Sequence, residues 1–594
     1  MDYIKFYLMK FLRNLLASIL GSLVAFMIVV GMFFIFMALV GSVDNGVVVK
    51  KNSVLELRFV APILDYTGKD DTDPFAALWT EELGLDEILH AIEVAKDDDN
   101  IQGISLTTGF LQAGVAQTRE IRKALIDFKS SGKFVMAHAD VYAQRDYYLA
   151  TAADEVYLNP VGVVDFKGLA TEVLFYKELQ EKSGIKMEVI RHGKYKSAVE
   201  PFLSDTMSDE NRTQIKELIT SIWSVIVDDI AESRNITPQN LNIIADTLGG
   251  RTPEYAVASG LLDGALHYDE YVSLLKEKIG VAEDDDLNYV KLEDYIQIAG
   301  KKRIRTGADK VAVIYAQGEI LGGEGGKDYI GQGLIVDALH KAVDNESVKA
   351  IVLRVDSPGG SALVSDIIWR EMQLAKEEKP LVVSFGNIAA SGGYYIGVGG
   401  DKIFAEPTTI TGSIGVFGTI PNVHQLAENI GVNAEQVGTN KNSVDYSFFE
   451  PMTDSFRNVM QESIEETYDT FLDRVSKGRN MPVERVKEIA QGRVWSGVDA
   501  QALGLVDELG NLDDAIVAAA DMAGLEDYGI RKYPKYKSGF DQFMEDLGGV
   551  KAKIGETIIK EEIGTEAYDI LKEFKQFTKQ EGVQAKMPFS LKIK

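Results

Sequence analysis

Two turns rich in glycine and serine could together supply the groups that hydrolyse an acyl or peptide bond. Ser391 lies in the run Ala-Ala-Ser-Gly-Gly at 389–393, after a strand-like apolar run and before a short helical stretch. A serine on such a strand-to-helix turn can act as a nucleophile, because amides at the helix start can stabilise an oxyanion beside it. The alternative is that these small residues only let a strand and a helix pack closely.

A second turn favours the catalytic interpretation. The apolar run 351–356 predicts a buried strand, and it leads into Asp-Ser-Pro-Gly-Gly at 356–360. Such a turn can present backbone amides to a ligand. The six histidines are all distant from Ser391 in sequence, so another base is needed unless the fold brings one near. The chain has no cysteine, which excludes thiol catalysis, and it carries no motif for a metal or a nucleotide cofactor.

The length of the chain and its alternation of strands and helices indicate a multidomain α/β protein. A chain of 594 residues is too long for one core, and strands alternate with helical segments along most of it. The net charge of −28 argues against non-specific nucleic-acid binding. We predict an N-terminal anchor at 1–45 and two domains at 46–305 and 306–594, the second ending in a tail. An apolar helical face in that tail is expected to pack on the protein's own core; it comprises Ile570, Leu571, Phe574 and Phe577.

The N-terminus predicts a transmembrane helix. The run Asn14–Val43 contains no charged residue, whereas about 20 apolar residues cross a bilayer and a signal-peptide core has only about 7–15. We therefore expect an uncleaved anchor; a cleaved signal sequence or a buried core helix are the alternatives. Three basic residues precede the run and three follow it closely, so charge does not decide the orientation.

The two domains are an internal repeat. Tyr147 and Tyr394 are 247 positions apart, and Asp154 and Asp401 have the same separation. A period of this length predicts a duplicated domain.

The catalytic features occur in the C-terminal copy alone. In the register of 247, Ser391 aligns with Gln144 and Ser413 aligns with Phe166, while the turn 356–360 aligns with Gly-Phe-Leu-Gln-Ala. A purely structural role would not predict that all three features are missing together.

The base is sought in the N-terminal copy, in the run 193–202. Its Lys196 aligns with Ser443. A lysine in an apolar pocket has a lowered pKa and can act as a general base. The alternative is an ordinary surface lysine. Lys441, which aligns with Lys194, is the second candidate for the base.

Four motifs together resemble the signal peptide peptidase A (protease IV) family in its long, duplicated form. They are the turns 356–360, 389–394 and 411–415 and the run 195–202. The resemblance implies a ClpP/crotonase-like fold in each half, with Ser391 as nucleophile and Lys196 as general base. It also implies that Ser413 orients the lysine and that the amides of Gly360 and Gly392 form the oxyanion hole, with no metal or cofactor.

The resemblance further implies a membrane-anchored serine endopeptidase that degrades cleaved signal peptides and other apolar peptides. It implies a homotetramer on the periplasmic face of the bacterial inner membrane. A crotonase-like acyl-CoA enzyme and a non-catalytic membrane scaffold are the alternatives. Because Ser391 and Lys196 belong to different copies of the repeat, the site must form between two domains. We expect these two domains to belong to neighbouring chains of a ring.

Overall fold

The computed structural model describes residues 2–42, 48–68, 82–107, 109–302, 304–444, 446–536 and 583–587. The predicted apolar face of the tail, from Ile570 to Phe577, lies outside these residues. The first helix, α1, spans Asp2–Ser42. Among the described residues, no helix was found whose length and hydropathy would let it cross a membrane.

The N-terminal half is built on a six-stranded parallel sheet with the order β8-β6-β5-β4-β1-β9. Its strands, and the outlying β2, β3 and β7, are β1 Ser53–Leu57, β2 Ile63–Leu64, β3 Leu83–Gly84, β4 Ile101–Thr107, β5 Phe134–Tyr142, β6 Glu155–Val164, β7 Lys186–His192, β8 Gly264–Ala265 and β9 Asn288–Lys291. Its helices are α2 Leu85–Lys96, α3 Val115–Lys129, α4 Gln144–Ala150, α5 Lys177–Ser183, α6 Glu200–Leu203, α7 Asp209–Arg234, α8 Pro238–Asp246, α9 Pro253–Ala258, α10 Tyr268–Ile279 and α11 Leu292–Ala299.

The C-terminal half repeats this plan with a larger sheet, in which β19-β17-β15-β13-β10-β21 are neighbours and β16 and β20 extend from β15. The strands of this half are β10 Lys310–Gln317, β11 Glu319–Ile320, β12 Tyr329–Ile330, β13 Val348–Ser357, β14 Gly359–Ser361, β15 Leu381–Ala390, β16 Lys402–Ala405, β17 Ile410–Gly412, β18 Val416–Asn422, β19 Val494–Ser496, β20 Glu508–Leu509, β21 Gly529–Tyr533 and β22 Gln584–Lys586. The helices are α12 Gln332–Asp344, α13 Ala362–Glu378, α14 Gly392–Gly397, α15 His424–Asn429, α16 Asp454–Gly478, α17 Val483–Ile489, α18 Gly497–Ala502 and α19 Leu512–Met522.

The predicted α/β class and the register of the repeat are confirmed in the central strands. Strand β4 begins at Ile101 and β13 at Val348, so the offset is 247 (348 − 101). The strands are almost continuously buried, as expected for parallel sheets covered by helices on both faces. The offset then falls to 245 (454 − 209) between α7 and α16.

A third, mixed sheet joins the two halves, with the order β12-β11-β14-β22-β18-β7. Strand β7 of the N-terminal half pairs antiparallel with β18 of the C-terminal half, so that His192 lies opposite Val416. The chain leaving β7 therefore enters the C-terminal half.

A buried ionic cluster also holds the halves together. Arg354 on β13 donates hydrogen bonds to Asp65 and Glu120 of the N-terminal half, both at 2.6 Å. Burial raises the pKa of Glu120 to about 7, against the opposing effect of the guanidinium. Arg119 adds a contact from the N-terminal half to Glu406, at 2.7 Å. Removing one partner of such a cluster leaves an uncompensated buried charge, so the cluster fixes how the halves meet.

Candidate active site

Ser391 lies between the end of β15 and the start of α14, as the sequence predicts. Its φ of 55° and ψ of −114° are unusual for a residue with a side chain, and such strain is common at catalytic turns. The Ser391 amide donates to the carbonyl of Gly412 at 2.8 Å, and the Ser391 carbonyl accepts from the amide of Tyr395 at 2.8 Å. The turn is therefore held by backbone hydrogen bonds on both sides.

The amine of Lys196 lies beside this serine. The Lys196 Nζ is 2.8 Å from Ser391 Oγ, 3.0 Å from Ser413 Oγ and 3.1 Å from the carbonyl oxygen of Ser413. All three side chains have no exposed surface. Burial lowers the pKa of Lys196 well below its usual value, because the charged form is poorly solvated there. A neutral amine can then accept the hydroxyl proton of Ser391 in this geometry.

Apolar groups and glycines surround the stem of Lys196. The ring of Phe417 is 5.9 Å from its Nζ, and Phe417 packs with Ala198 and Val199 in a small apolar cluster. A Cβ on Gly415 would lie 3.3 Å from the Lys196 Cδ. The pocket therefore closely matches an uncharged lysine side chain.

The structure adds Gly492, which the sequence analysis missed. A Cβ at this position would lie 2.7 Å from the backbone of Lys196, and Gly492 has a φ of +81°. Its amide donates to Ile414 at 2.8 Å, and the preceding Gln491 carbonyl accepts from the Tyr195 amide at 3.0 Å. Glycine carries no chemistry, so only the repetition of Gly-Arg at 250–251 and 492–493 could have drawn attention to it.

The two turns expected to form the oxyanion hole meet beside Ser391. Gly359 and Gly360 have φ values of +95° and +156°, and a Cβ on Gly359 would lie 2.7 Å from the amide nitrogen of Gly392. The carboxylate of Asp356 accepts from the amide of Ile388 at 2.9 Å, and burial raises its pKa to about 7. Asp356 therefore ties the turn 356–360 to the last residues of β15.

The structure corrects two expectations about the base. Ser391 and Lys196 meet within one chain, so the expectation that they come from neighbouring chains was wrong: the pairing of β7 with β18 carries Lys196 across inside the same molecule. Lys441 was also the wrong alternative. It is exposed in a turn of the segment 431–443, which forms neither helix nor strand.

This arrangement suits acyl transfer by a serine. It combines a hydroxyl, a buried amine and two turns rich in backbone amides. In the described parts of the chain, no group of His, Asp or Glu side chains could hold a metal ion.

Known proteins provide independent comparisons. The model of Peptidase family S49 matches residues 127–282 and again 373–526. The chain is 37% identical to Protease 4 of Salmonella typhi over 560 residues, or 89% of each chain. It is 38% identical to Protease 4 of Haemophilus influenzae over 73% of this chain and 72% of that one. It is also 32% identical to the chloroplastic serine protease SPPA of Arabidopsis thaliana, over 80% of this chain and 70% of that one.

Among solved structures, a ClpP1 mutant from Listeria monocytogenes matches 34% of this chain and 94% of its own length, at 16% identity and a TM-score of 0.23. A TM-score this low does not establish a shared fold. The two family segments lie one in each half, and the relatives align along most of the chain. The protein therefore belongs to peptidase family S49 and is a serine peptidase of the SppA type with a duplicated domain.

Proposed function

We propose that this chain is a membrane-anchored serine endopeptidase in which Lys196 activates Ser391 to cleave apolar peptides, cleaved signal peptides among them. One observation carries the proposal: a buried lysine amine lies 2.8 Å from the oxygen of a buried serine. Burying this amine costs folding free energy, and general-base catalysis gives a reason to retain it.

The reaction follows from the contacts of Lys196. Its neutral amine takes the proton of Ser391 as Oγ bonds to the substrate carbonyl carbon. The resulting oxyanion accepts hydrogen bonds from the amides of Gly360 and Gly392. The Lys196 ammonium then gives its proton to the leaving amine, and the C–N bond breaks. Water, deprotonated by Lys196, hydrolyses the acyl-enzyme. Ser413 Oγ, at 3.0 Å from Nζ, keeps the amine directed at Ser391.

Labelling by a serine-reactive fluorophosphonate tests the nucleophile. We expect the label on Ser391, located by mass spectrometry of the digested protein, and we expect turnover of an apolar reporter peptide. The matched control is Ser105→Ala, which removes another fully buried hydroxyl, one that bonds to Tyr271 in the N-terminal half, and should leave labelling intact, whereas Ser391→Ala should abolish it. A protein that neither labels nor hydrolyses peptides would favour an acyl-CoA enzyme or a scaffold.

The cellular setting is part of the same proposal. The uncharged run Asn14–Val43, which belongs to α1 as far as Ser42, supports an anchor. The family resemblance supports two ClpP/crotonase-like domains on the periplasmic face and a homotetramer. Full-length protein should resist extraction of membranes by alkaline carbonate. A chain starting at Asn45 should be soluble and active, with the mass of a tetramer by light scattering. Release of the full chain by carbonate would contradict the anchor.

A further inference from the structure

A cavity of about 470 Å³ lies where the two halves of the molecule meet. One wall comes from the N-terminal half and includes the start of α3, residue 145 of α4 and residue 222 of α7. The other wall comes from the C-terminal half and includes the last residues of β10, β13 and β15 and the start of β17. Neither Ser391 nor Lys196 lines the cavity. Its volume is that of a small-molecule site, and it is separate from the candidate active site.

The wall from the N-terminal half can hold an anion. Helix α3 begins at Val115, and residues 114–117 line the cavity. The first amides of a helix have no partner within it and carry the positive end of its dipole, so they attract a carboxylate or a phosphate. Arg145 lines the same wall. Burial lowers the pKa of the Arg145 guanidinium, so an anion beside it would stabilise its charge.

The equivalent place in the C-terminal half is the predicted oxyanion hole. In the register of 247, Arg145 corresponds to Gly392 and Ala113 corresponds to Gly360. The Arg145 guanidinium donates a hydrogen bond to the carbonyl of Ala113. The C-terminal copy thus offers backbone amides to a short-lived oxyanion. The N-terminal copy offers a permanent positive charge, which suits a stable anion.

The wall from the C-terminal half contains a buried hydroxyl that lacks a partner. Thr408 lines the cavity and is 2% exposed, and its Oγ1 has no hydrogen-bond partner in the described parts of the chain. A buried hydroxyl without a partner is unfavourable, and a ligand that hydrogen-bonds to it would remove that cost. The start of α3 and this hydroxyl therefore point independently to a polar ligand.

The same wall carries carboxylates that can pair with a cation. Asp356 lines the cavity and accepts hydrogen bonds from the Ile388 amide at 2.9 Å and from the Asn387 side chain at 3.4 Å. Neither of these two donors is charged. The exposed side chain of Asp328 adds a second carboxylate to the lining. An ammonium group in the cavity would therefore be attracted to this wall.

Two further charged residues of the lining are paired within the protein. Lys327 Nζ lies 2.7 Å from a carboxylate oxygen of Glu82, and Asp65 accepts a hydrogen bond from Arg354 at 2.6 Å. Apolar side chains from both halves complete the lining, among them Ile63, Ile222, Ile388 and Ile410. The cavity therefore combines a wall for an anion, a wall for a cation and an apolar surface.

We propose that this cavity binds a short apolar peptide whose two termini are free. The peptide carboxylate accepts hydrogen bonds from the first amides of α3 and pairs with Arg145, and its ammonium group lies at Asp356. Its side chains pack on the isoleucines, and the Thr408 hydroxyl bonds to its backbone. Peptidases release peptides of this kind, so the ligand is a product of the proposed activity. The binding does not depend on that activity, because no bond is made or broken.

Isothermal titration calorimetry with the dipeptide leucyl-leucine tests the proposal. The full chain carries Ser391→Ala, so that the peptide stays intact. We expect saturable binding of leucyl-leucine. Leucyl-leucinamide, which lacks the carboxylate, and octanoate, which lacks the ammonium group, should each bind at least about tenfold more weakly. Octanoate that binds as tightly as the dipeptide would overturn the assignment of a peptide, and so would equally tight binding of the amide.

Two substitutions in the same Ser391→Ala chain locate the site. Arg145→Met removes the charge and should weaken dipeptide binding at least about tenfold. Thr408→Val keeps the shape of the side chain and should weaken binding about three- to tenfold, because only the hydroxyl is lost. The matched control is Thr419→Val, since Thr419 is also 2% exposed and its hydroxyl also has no partner in the described parts of the chain. It should leave the affinity unchanged.

The outcomes separate this inference from the proposed function. Wild-type protein that hydrolyses a reporter peptide, with a Ser391→Ala chain that does not bind leucyl-leucine, overturns this inference alone. Binding of the dipeptide with no hydrolysis by wild type overturns the proposed function alone. Equal affinities in Arg145→Met, Thr408→Val and Thr419→Val would place the dipeptide elsewhere and overturn the inference. Circular dichroism should show that all three variants are folded.

Discussion

The two halves of the molecule place different residues at the same turn. Where the C-terminal half has Ser391, the N-terminal half has Gln144, at the start of the equivalent helix. The Gln144 amide group donates to the carbonyl of Gly168 at 2.9 Å, and its oxygen accepts from the amides of Lys167 and Gly168. In the C-terminal half, the equivalent residue Ser391 instead has the amine of Lys196 2.8 Å from its Oγ. One copy thus closes its turn with its own side chain, and the other leaves room for a lysine.

A second pair of positions shows the same contrast. Phe166 is buried against Tyr147 and Trp223, with ring centroids 5.7 and 5.3 Å apart. Its counterpart, Ser413, presents a hydroxyl to Lys196. The same scaffold therefore gives a packed core in one copy and a polar pocket in the other. The difference indicates that the site depends on small side chains that leave room for a lysine. It also depends on the segment after β7, which brings Lys196 from the other copy.

The largest expected loss of activity comes from Ser391→Ala, and the equivalent substitution Gln144→Ala in the other half is its control. Ser391→Ala should lower kcat/KM for a peptide on the order of 10⁴-fold or more, because a residue of a catalytic unit is removed. Gln144→Ala should stay within a few-fold of wild type. Circular dichroism should show both variants folded. Similar losses in the two variants would contradict the division of roles between the halves.

Replacing the lysine should separate activity from stability. Lys196→Met should lose as much activity as Ser391→Ala. It should also raise the free energy of unfolding by about 0.5–2 kcal/mol, because a buried amine is replaced by an apolar chain at a functional site. Denaturant unfolding measures the gain. Lys194→Met is the matched control, since Lys194 is exposed, and it should change neither quantity. An unchanged stability of Lys196→Met would argue against a desolvated amine.

Two glycines with nearly the same φ sharpen the assignment of Gly492. Gly492→Ala would bring a Cβ within 2.7 Å of the Lys196 backbone, whereas Gly431, with a φ of +82°, has no heavy atom within 4 Å of such a Cβ. Both variants carry similar backbone strain. Only Gly492→Ala should also displace the base, with a loss of about 10²-fold in kcat. Equal activity in the two variants would show that Gly492 does not position Lys196.

The smallest expected effects are on the pH dependence of activity and of thermal stability. Because burial lowers the pKa of Lys196, kcat/KM should rise with pH as the amine loses its proton and level off well below pH 10.5. The unfolded chain binds this proton more tightly, so the contribution of Lys196 to stability also rises with pH between its folded and unfolded pKa values. The difference in Tm between wild type and Lys196→Met should therefore shrink as the pH approaches 10.5. A constant difference would contradict the lowered pKa.

Much of the plan follows from the sequence alone. The strand–helix alternation and the spacing of 247 give the α/β class and the duplicated core, because parallel strands and their helices are set by local pattern and by repeat length. The contrast of Ser391 with Gln144 points to the serine, and the motif around Lys196 points to the lysine. Beyond the central strands, the spacing between equivalent residues falls from 247 to 245. An alignment at 247 is therefore not exact around Lys196 and Lys441, and it could not decide which lysine lies beside Ser391.

Only the tertiary structure decides how the serine and the lysine meet. They are 195 positions apart, and their contact depends on the antiparallel pairing of β7 with β18, which local propensity does not specify. The same holds for Gly492, whose importance lies in a backbone approach, and for β22, whose residues have no chemical motif of their own. Sequence spacing fixes which residues share a turn or a strand. Contacts between distant segments are selected by burial, hydrogen bonding and charge pairing over the whole fold.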